Sequence, residues 1–420
     1  MKNAIFVITT LALAAFSSPG AAATFTTEGY TVDILTSLAL NQPRAINDHG
    51  QVTGRAASRG FFSPYLYDPD AGTVFIRDET GENLIEGVDI NNDGTVVGVA
   101  PSFTESFQWS AEDGYQKVTD TIDLLSGPRE ISTRLTAINN NGTAVGTTSL
   151  IRSGPNTRIE VWQDGEIVDR SFDLTALGGP DNVFSMFPFD INDHGQILGF
   201  AQSTTTGVAR GIWDVDGSFT ALEIPDGFLS VAPTAINNKG QVVGLAQRLS
   251  ATGESEGLPY FWDPINGASV FIDSMPTNPD GSIFTPTIGG INDFGQFVGS
   301  IAYDLEDGSR RFTGALWESD GTLLELDTLF EDQSLWLFNA IDINNKGQIL
   351  GRMSTRSPLQ FFNGGYVLTP DVAPGVTPVP LPASASMLLA GTVLLGWAGG
   401  RRRVNREGRR QRVTGSIPEL

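Results

Sequence analysis

The chain has 420 residues, with 48 Asp and Glu against 26 Lys and Arg, two His and no Cys, and a formal net charge of −22. That balance repels nucleic acid and anionic membrane surfaces. The lack of cysteine removes disulfides and thiolate chemistry, so any covalent or metal chemistry rests on oxygen and nitrogen groups.

In chain order, the first element covers residues 1–23. It has one early cation, Lys2, an apolar run over 4–16, a Ser17-Ser18-Pro19-Gly20 break and then Ala21-Ala22-Ala23. This is the pattern of a cleavable secretory signal peptide, and the run is well short of the roughly 20 residues a spanning helix needs. Export without cysteine suits a bacterial envelope or an external setting. A lone strand is expected next, over 30–35.

From residue 45 onward one element recurs seven times: Ile-Asn, two or three polar residues, Gly, a short apolar run and a second Gly. Its Ile positions are 46, 90, 138, 191, 236, 291 and 343, at steps of 44, 48, 53, 45, 55 and 52 residues. A blade of four short strands with its turns takes about 40–50 residues. The expected fold is therefore all-β, a seven-bladed β-propeller over 24–370. In Asn47-Asp48-His49-Gly50 the Asn side chain can cap backbone donors two residues on, and Gly50 suits the positive φ that ends such a turn. The second glycine, as at Gly54, falls within a strand, which implies crowded backbones near a central axis.

Between these elements lies an aromatic-ended strand: Tyr65-Leu66-Tyr67, Phe107-Gln108-Trp109, Val161-Trp162, Ile212-Trp213, Phe261-Trp262, Leu316-Trp317 and, in degenerate form, Phe361-Phe362. One Trp per repeat, at a strand end, reads as packing between blades rather than as a sugar-stacking array. The strand over 30–35 resembles the last strand of a repeat, so it is expected to pair into the final blade and close the ring, leaving no raw edge. In such a meander alternate connections emerge on opposite faces. The tight Asn-Gly and Asp-Gly turns share one rim, and the variable connections over 147–158, 180–189, 247–259 and 303–313 share the other, where recognition is expected.

His49 and His194 occupy the same turn position in their repeats and read as surface residues. Asp89, Asn91 and Asp93 match the opening of a calcium loop, although position 12 is Ala100 rather than Glu, and a structural turn is the competing reading. No nucleophile elbow, zinc spacing or phosphate-cradling loop is present, so no catalytic or cofactor-binding residue is assigned and calcium is the one cofactor considered.

After the repeats come a Pro-rich linker over 371–383, an apolar stretch over 384–400 that suits a transmembrane helix, and a basic tail over 401–420 opening with Arg401, Arg402 and Arg403. Residues 24–400 hold 18 of the 26 Lys and Arg and 46 of the 48 Asp and Glu, a net −28.

Val379, Pro380, Leu381, Pro382 and Ala383, followed by the apolar stretch and the Arg cluster, resemble a VPLPA-type C-terminal sorting signal of the PEP-CTERM class, found in Gram-negative bacteria that make exopolysaccharide. The resemblance implies capture in the inner membrane, cleavage near the motif by an exosortase-type enzyme, and release or surface attachment of the body. The repeat itself, with its Ile-Asn-x-x-Gly-x-x-x-Gly core, aromatic-ended strand and Leu177-Gly178-Gly179, resembles the HAF-repeat family of probable extracellular proteins, over roughly 30–366. That family carries no assigned reaction. The expected function is an exported, non-catalytic surface or exopolysaccharide-matrix protein, with exopolysaccharide or an envelope protein as partner and no nucleic acid. Two alternatives stand beside it: a secreted polysaccharide hydrolase or lyase using Asp or Glu on the variable rim, and a protein-binding envelope scaffold.

Overall fold

A computed structural model describes residues 23–375 apart from 28, 36–41, 59–60, 79–84, 101–104, 119, 125–126, 132, 150–156, 169–171, 173–174, 178, 180–181, 251, 331–334 and 356–362. The chain divides into two units, 1–374 and 375–420, and every described strand belongs to the first. Among the described residues there are strands and two short 3-10 turns, Thr175–Leu177 and Leu326–Leu329, and no α-helix.

Each repeat folds as an antiparallel meander. In the first, Gln42–Ile46, Val52–Ser58, Phe61–Asp68 and Gly72–Phe75 lie side by side in chain order. The same order recurs over 86–118, 230–270 and 287–325. Two further meanders, over 133–168 and 183–221, are joined into one path by a single parallel pair, Thr157 with Ser185. The last sheet runs Leu335–Ile343, Ile349–Thr355, Asn363–Pro370 and then Tyr30–Ile34, with Ala23–Thr27 outermost. Tyr30 faces Pro370 and Ile34 faces Tyr366 in that pairing, so the early strand completes the final sheet as expected. The fifth strand, Ala23–Thr27, and a hairpin of Asp120–Leu124 with Gly127–Ile131 are additions that the repeat pattern did not announce.

The turn glycines behave as their position demands. Gly50 has φ 79°, and Gly94, Gly142, Gly195, Gly240, Gly295 and Gly347 lie between 73° and 80°. The second glycine has a more local cause than crowding around an axis. Gly54 is paired with Pro43, where the first strand of the same sheet bulges, and a Cβ there would fall on the Gln42 carbonyl oxygen. The bulge recurs opposite Gly98, Gly146, Gly199, Gly244, Gly299 and Gly351. Such a bulge bends the innermost strand and admits no side chain opposite it.

Seven apolar clusters lie between successive repeats. Trp213 and Trp317 are fully buried in two of these layers, while Trp162 and Trp262 are buried in two others. Trp109 packs at the edge of a fifth. In the seventh repeat the matching place, opposite Ile349, is held by Leu368, and Phe361-Phe362 lie outside the described residues. Leu35, Leu350 and Val367 pack on Ile46, Val52 and Tyr65, which joins the last repeat to the first and closes the ring.

Candidate functional site

The Ile-Asn turns converge. Asn47 Oδ1 accepts from the N–H groups of His49 at 3.0 Å and Gln51 at 2.9 Å, which holds its own turn. Its Nδ2 then donates to the carbonyl oxygen of Asn91 in the next repeat, at 2.8 Å. The same inter-repeat bond passes from Asn91 to Asn139, Asn192, Asn237, Asn292 and Asn344, and Asn344 returns it to Asn47 at 2.7 Å. Only an amide supplies an acceptor for the turn and donors for the neighbour; a carboxylate would set oxygen against oxygen. All seven are 2–5 % exposed, so each unmade bond would strand a buried polar group.

One residue further on, a second circuit forms. The N–H of Asp48 donates to Asn92 Oδ1 at 2.8 Å, and the relation continues through Asn140, Asp193, Asn238, Asp293 and Asn345 back to Asp48. No two of the three Asp are neighbours in this order. Each accepts amide N–H groups from the Asn on both sides: Asp193 Oδ2 receives Asn140 and Asn238 at 3.0 and 2.8 Å. The alternation separates the charges and pairs each with donors. Together the two circuits line a polar cavity of about 160 Å³ at the centre of the ring.

A third layer breaks the symmetry. Before the Ile, the seven copies read Ala45, Asp89, Ala137, Asp190, Ala235, Gly290 and Asp342. Asp89 accepts the N–H of its own Ile90 and, across the gap, that of Ile138, both at 2.8 Å. Asp190 bridges Ile191 and Ile236, and Asp342 bridges Ile343 and Ile46, likewise within 2.9 Å. Burial pushes each carboxyl up to about 7, the backbone N–H groups pull it down, and each feels one of the other two as a further upward push. Asp89 and Asp190 line the cavity. The calcium candidates do not converge. Both oxygens of Asp89 face backbone N–H groups, Asn91 Oδ1 holds its own turn through Asp93 and Thr95, and Asp93 is exposed. Among the described residues no group of three or more His, Asp or Glu is placed to hold a metal ion.

Beyond the bulge, away from the tight turns, the repeats diverge fully. The cross-strand pairs there are Gln42 with Arg55, Glu86 with Val99, Arg134 with Thr147, Phe187 with Phe200, Ala232 with Leu245, Thr287 with Ser300 and Asn339 with Arg352. Phe187 and Phe200 stack at 4.8 Å, and Phe189 lies 5.5 Å from Phe200. Arg44 and Arg55 both approach Glu86 Oε2, at 3.1 and 3.8 Å. Arg352 senses the same group: burial, then Arg44 and Arg55, hold its pKa below the usual guanidinium value, while Tyr65 and Glu86 act the other way. Counted along the closed Asn circuit, the Phe pair of the fourth repeat stands three steps from both the first and the seventh, so aromatic and Arg walls face one another.

Comparison with known proteins decides the architecture. Residues 103–257 match a family described as "Protein of unknown function (DUF3466)", and no curated protein matches the chain. Among solved structures, the oligogalacturonate lyase from Vibrio parahaemolyticus superposes with a TM-score of 0.50 at 14 % identity, covering 83 % of this chain and 96 % of that one. It is a β-propeller. So is this chain. A virginiamycin B lyase from Staphylococcus aureus is also similar, at TM-score 0.41 and 13 % identity, over 79 % of this chain and 97 % of that one.

On this propeller the two circuits sit at the tight-turn end of the channel. Gln51 and Asp68, bonded at 2.7 Å, tie the Asn-Gly turn to the Asp turn of the same blade, and Gln196 with Asp214 and Gln241 with Asp263 repeat the tie. His49 and His194 are exposed on that end. The sorting residues Val379, Pro380, Leu381, Pro382, Ala383, Arg401, Arg402 and Arg403 lie outside the described residues. Among those described, no helix is long and apolar enough to cross a membrane. The Asn circuit had one signal in the sequence: the residue after each Ile-Asn is Asp or Asn in all seven copies.

Proposed function

We propose that the chain is an exported, seven-bladed propeller that acts by binding at the cell surface or in an exopolysaccharide matrix, with its ligand taken at the channel end opposite the tight turns. The observation that carries this is the loss of symmetry just beyond the bulge. Seven blades share one Asn turn, yet the pairs above it run from Phe187 with Phe200 to Asn339 with Arg352. A ring needs its shared Asn turns to close, and the end where no cross-strand pair repeats is where a rigid scaffold carries recognition. The signal peptide over 1–23 and the sorting signal over 379–403 would deliver it, through an exosortase-type enzyme, and calcium has no assigned place in this reading.

A second reading is a polysaccharide lyase or hydrolase. Glu86, held beside Arg44 and Arg55, offers a carboxylate on the variable end, and the similar Vibrio propeller is an oligogalacturonate lyase. The test is full-length protein produced in a host that exports it, applied to a glycan panel with turnover followed by released reducing ends or by new unsaturated product. Saturable binding without turnover supports the binding role. Turnover that Glu86→Gln abolishes replaces it with the enzyme, and retention of one envelope protein with no glycan replaces it with a scaffold.

A further inference from the structure

The charge of the exported body is −28, yet one place at the variable end is positive. Arg44 and Arg55 on one blade share a single carboxylate, Glu86, and Arg352 on the adjoining blade lies within electrostatic reach of all three. Two of the three are already engaged: Arg44 Nη2 with Glu86, and Arg55 Nε with Gln42 Oε1 at 2.9 Å. The third, Arg352, has a buried Nε with no hydrogen-bond partner among the described residues. A guanidinium nitrogen that gives up water without gaining an acceptor is costly, and two like charges beside the half-buried group raise that cost. An anion arriving at the outer face of the guanidinium would offset the repulsion among the three cations.

Shape narrows the anion. The guanidinium is a planar fork that matches a carboxylate in two parallel bonds. Arg55 also lies over the ring of Phe62, at 5.1 Å from its centroid, and Phe62 is 41 % exposed. A flat apolar ring beside the fork suits the apolar face of a pyranose. The surroundings set a limit on charge density. Three cations against one anion compensate about two negative charges, and beyond a Debye length of about 8 Å the acidic body supplies none. A densely charged polyanion therefore gains little here, whereas a chain with spaced single charges fits.

We infer that Arg44, Arg55 and Arg352, with Phe62 beside them, form a subsite for the carboxylate of a uronic-acid residue in a sparsely charged glycan. This rests on the binding reading above and names the ligand chemistry of its variable end.

The experiment is titration calorimetry on full-length exported protein, with three oligosaccharides of one backbone: neutral, carrying one glucuronate, and carrying one sulfate in its place. The glucuronate form should bind at least about tenfold more tightly than the neutral one, and Arg352→Gln should bring the two forms to equal affinity. Arg44→Gln, a change at an exposed side chain, should weaken the glucuronate form in the same direction, which guards against a folding defect at Arg352. Equal affinity for neutral and glucuronate forms overturns the subsite but leaves the binding reading intact. Equal gain from sulfate and glucuronate overturns the carboxylate assignment. No binding of any of the three, with binding of other glycans also absent, overturns the binding reading itself.

Discussion

At the scale of single residues, three carboxylates answer to pH. Asp89, Asp190 and Asp342 are each pushed up to about 7 from the ordinary value of 3.8, chiefly by burial. The folded state therefore binds protons that the unfolded chain has already released. Their contribution to stability is complete below the ordinary value and is lost as pH rises through about 7. Because each raises another, they titrate as a coupled set, and the loss is spread over more than one pH unit. Thermal unfolding of the intact protein should show a midpoint that falls between pH 5 and pH 8. In Asp190→Ala that fall should shrink, with the variant less stable than the parent at pH 5 and close to it at pH 8. Alanine is a fair probe, since Ala45, Ala137 and Ala235 hold the same place in other repeats. Parallel curves for parent and variant would show that Asp190 takes up no proton on folding. At Asp89 both carboxylate oxygens accept backbone N–H groups, one from its own repeat and one from the next.

At the scale of elements, closure is the informative event. Tyr30–Ile34 pairs with Asn363–Pro370 over five residues, and Val32 and Leu368, opposite each other, are both fully buried. An open ring would expose the edge of the last sheet and the apolar layer between the last and first repeats together. Val32→Asp places an unpaired charge in the apolar layer between the sixth and seventh repeats, where Val32 packs with Leu316 and Leu337, and should cost at least about 3 kcal/mol in urea unfolding. Thr31→Asp, on the opposite face of the same strand, should cost less than about 1 kcal/mol. Equal costs would mean that this strand is dispensable to the ring. The latch was legible because residues 30–35 look like the missing fourth strand of a repeat. Its outer neighbour, Ala23–Thr27, was not, since a fifth strand answers to no periodicity. The same limit explains the Phe361-Phe362 assignment. A Trp-like signal was sought by spacing, while register places Leu368 there.

At the scale of the whole molecule, the proposed reading expects folding and addressing to be separable. The last described strand ends at Pro370, before Val379 to Ala383 in the sequence. A chain ending at Thr377 should therefore fold with the unfolding midpoint of the full chain and still be exported, while changing Arg401, Arg402 and Arg403 to Glu should impair membrane retention of the precursor. Fractionation with mass mapping of both termini checks both. A mature surface protein that keeps Arg401 onward would replace the sorting signal with a permanent anchor, and a truncated chain that fails to fold would show that the tail is part of the body.

The sequence by itself determined the strand order, the seven turns and the positive φ at Gly50 and its six counterparts, because these depend on contacts within a few residues and the repeat states them seven times over. It also located the variable end, since alternate connections of a meander must emerge on opposite faces. Tertiary structure alone decided what the turns do for one another. Asn47 meets Asn91, and Asn344 meets Asn47, across separations of 44 and 297 residues. It likewise decided that the second glycine answers to a bulge in its own sheet, that Asp89, Asp190 and Asp342 each reach into the next blade, and that Arg44 and Arg55 meet Glu86 with Arg352 within electrostatic reach. The physical reason is the same in each case. A local pattern fixes conformation one residue at a time, whereas a ring brings equivalent positions of successive repeats within hydrogen-bond reach only after it has closed, and the chemistry of those encounters depends on which side chain the neighbouring repeat happens to supply.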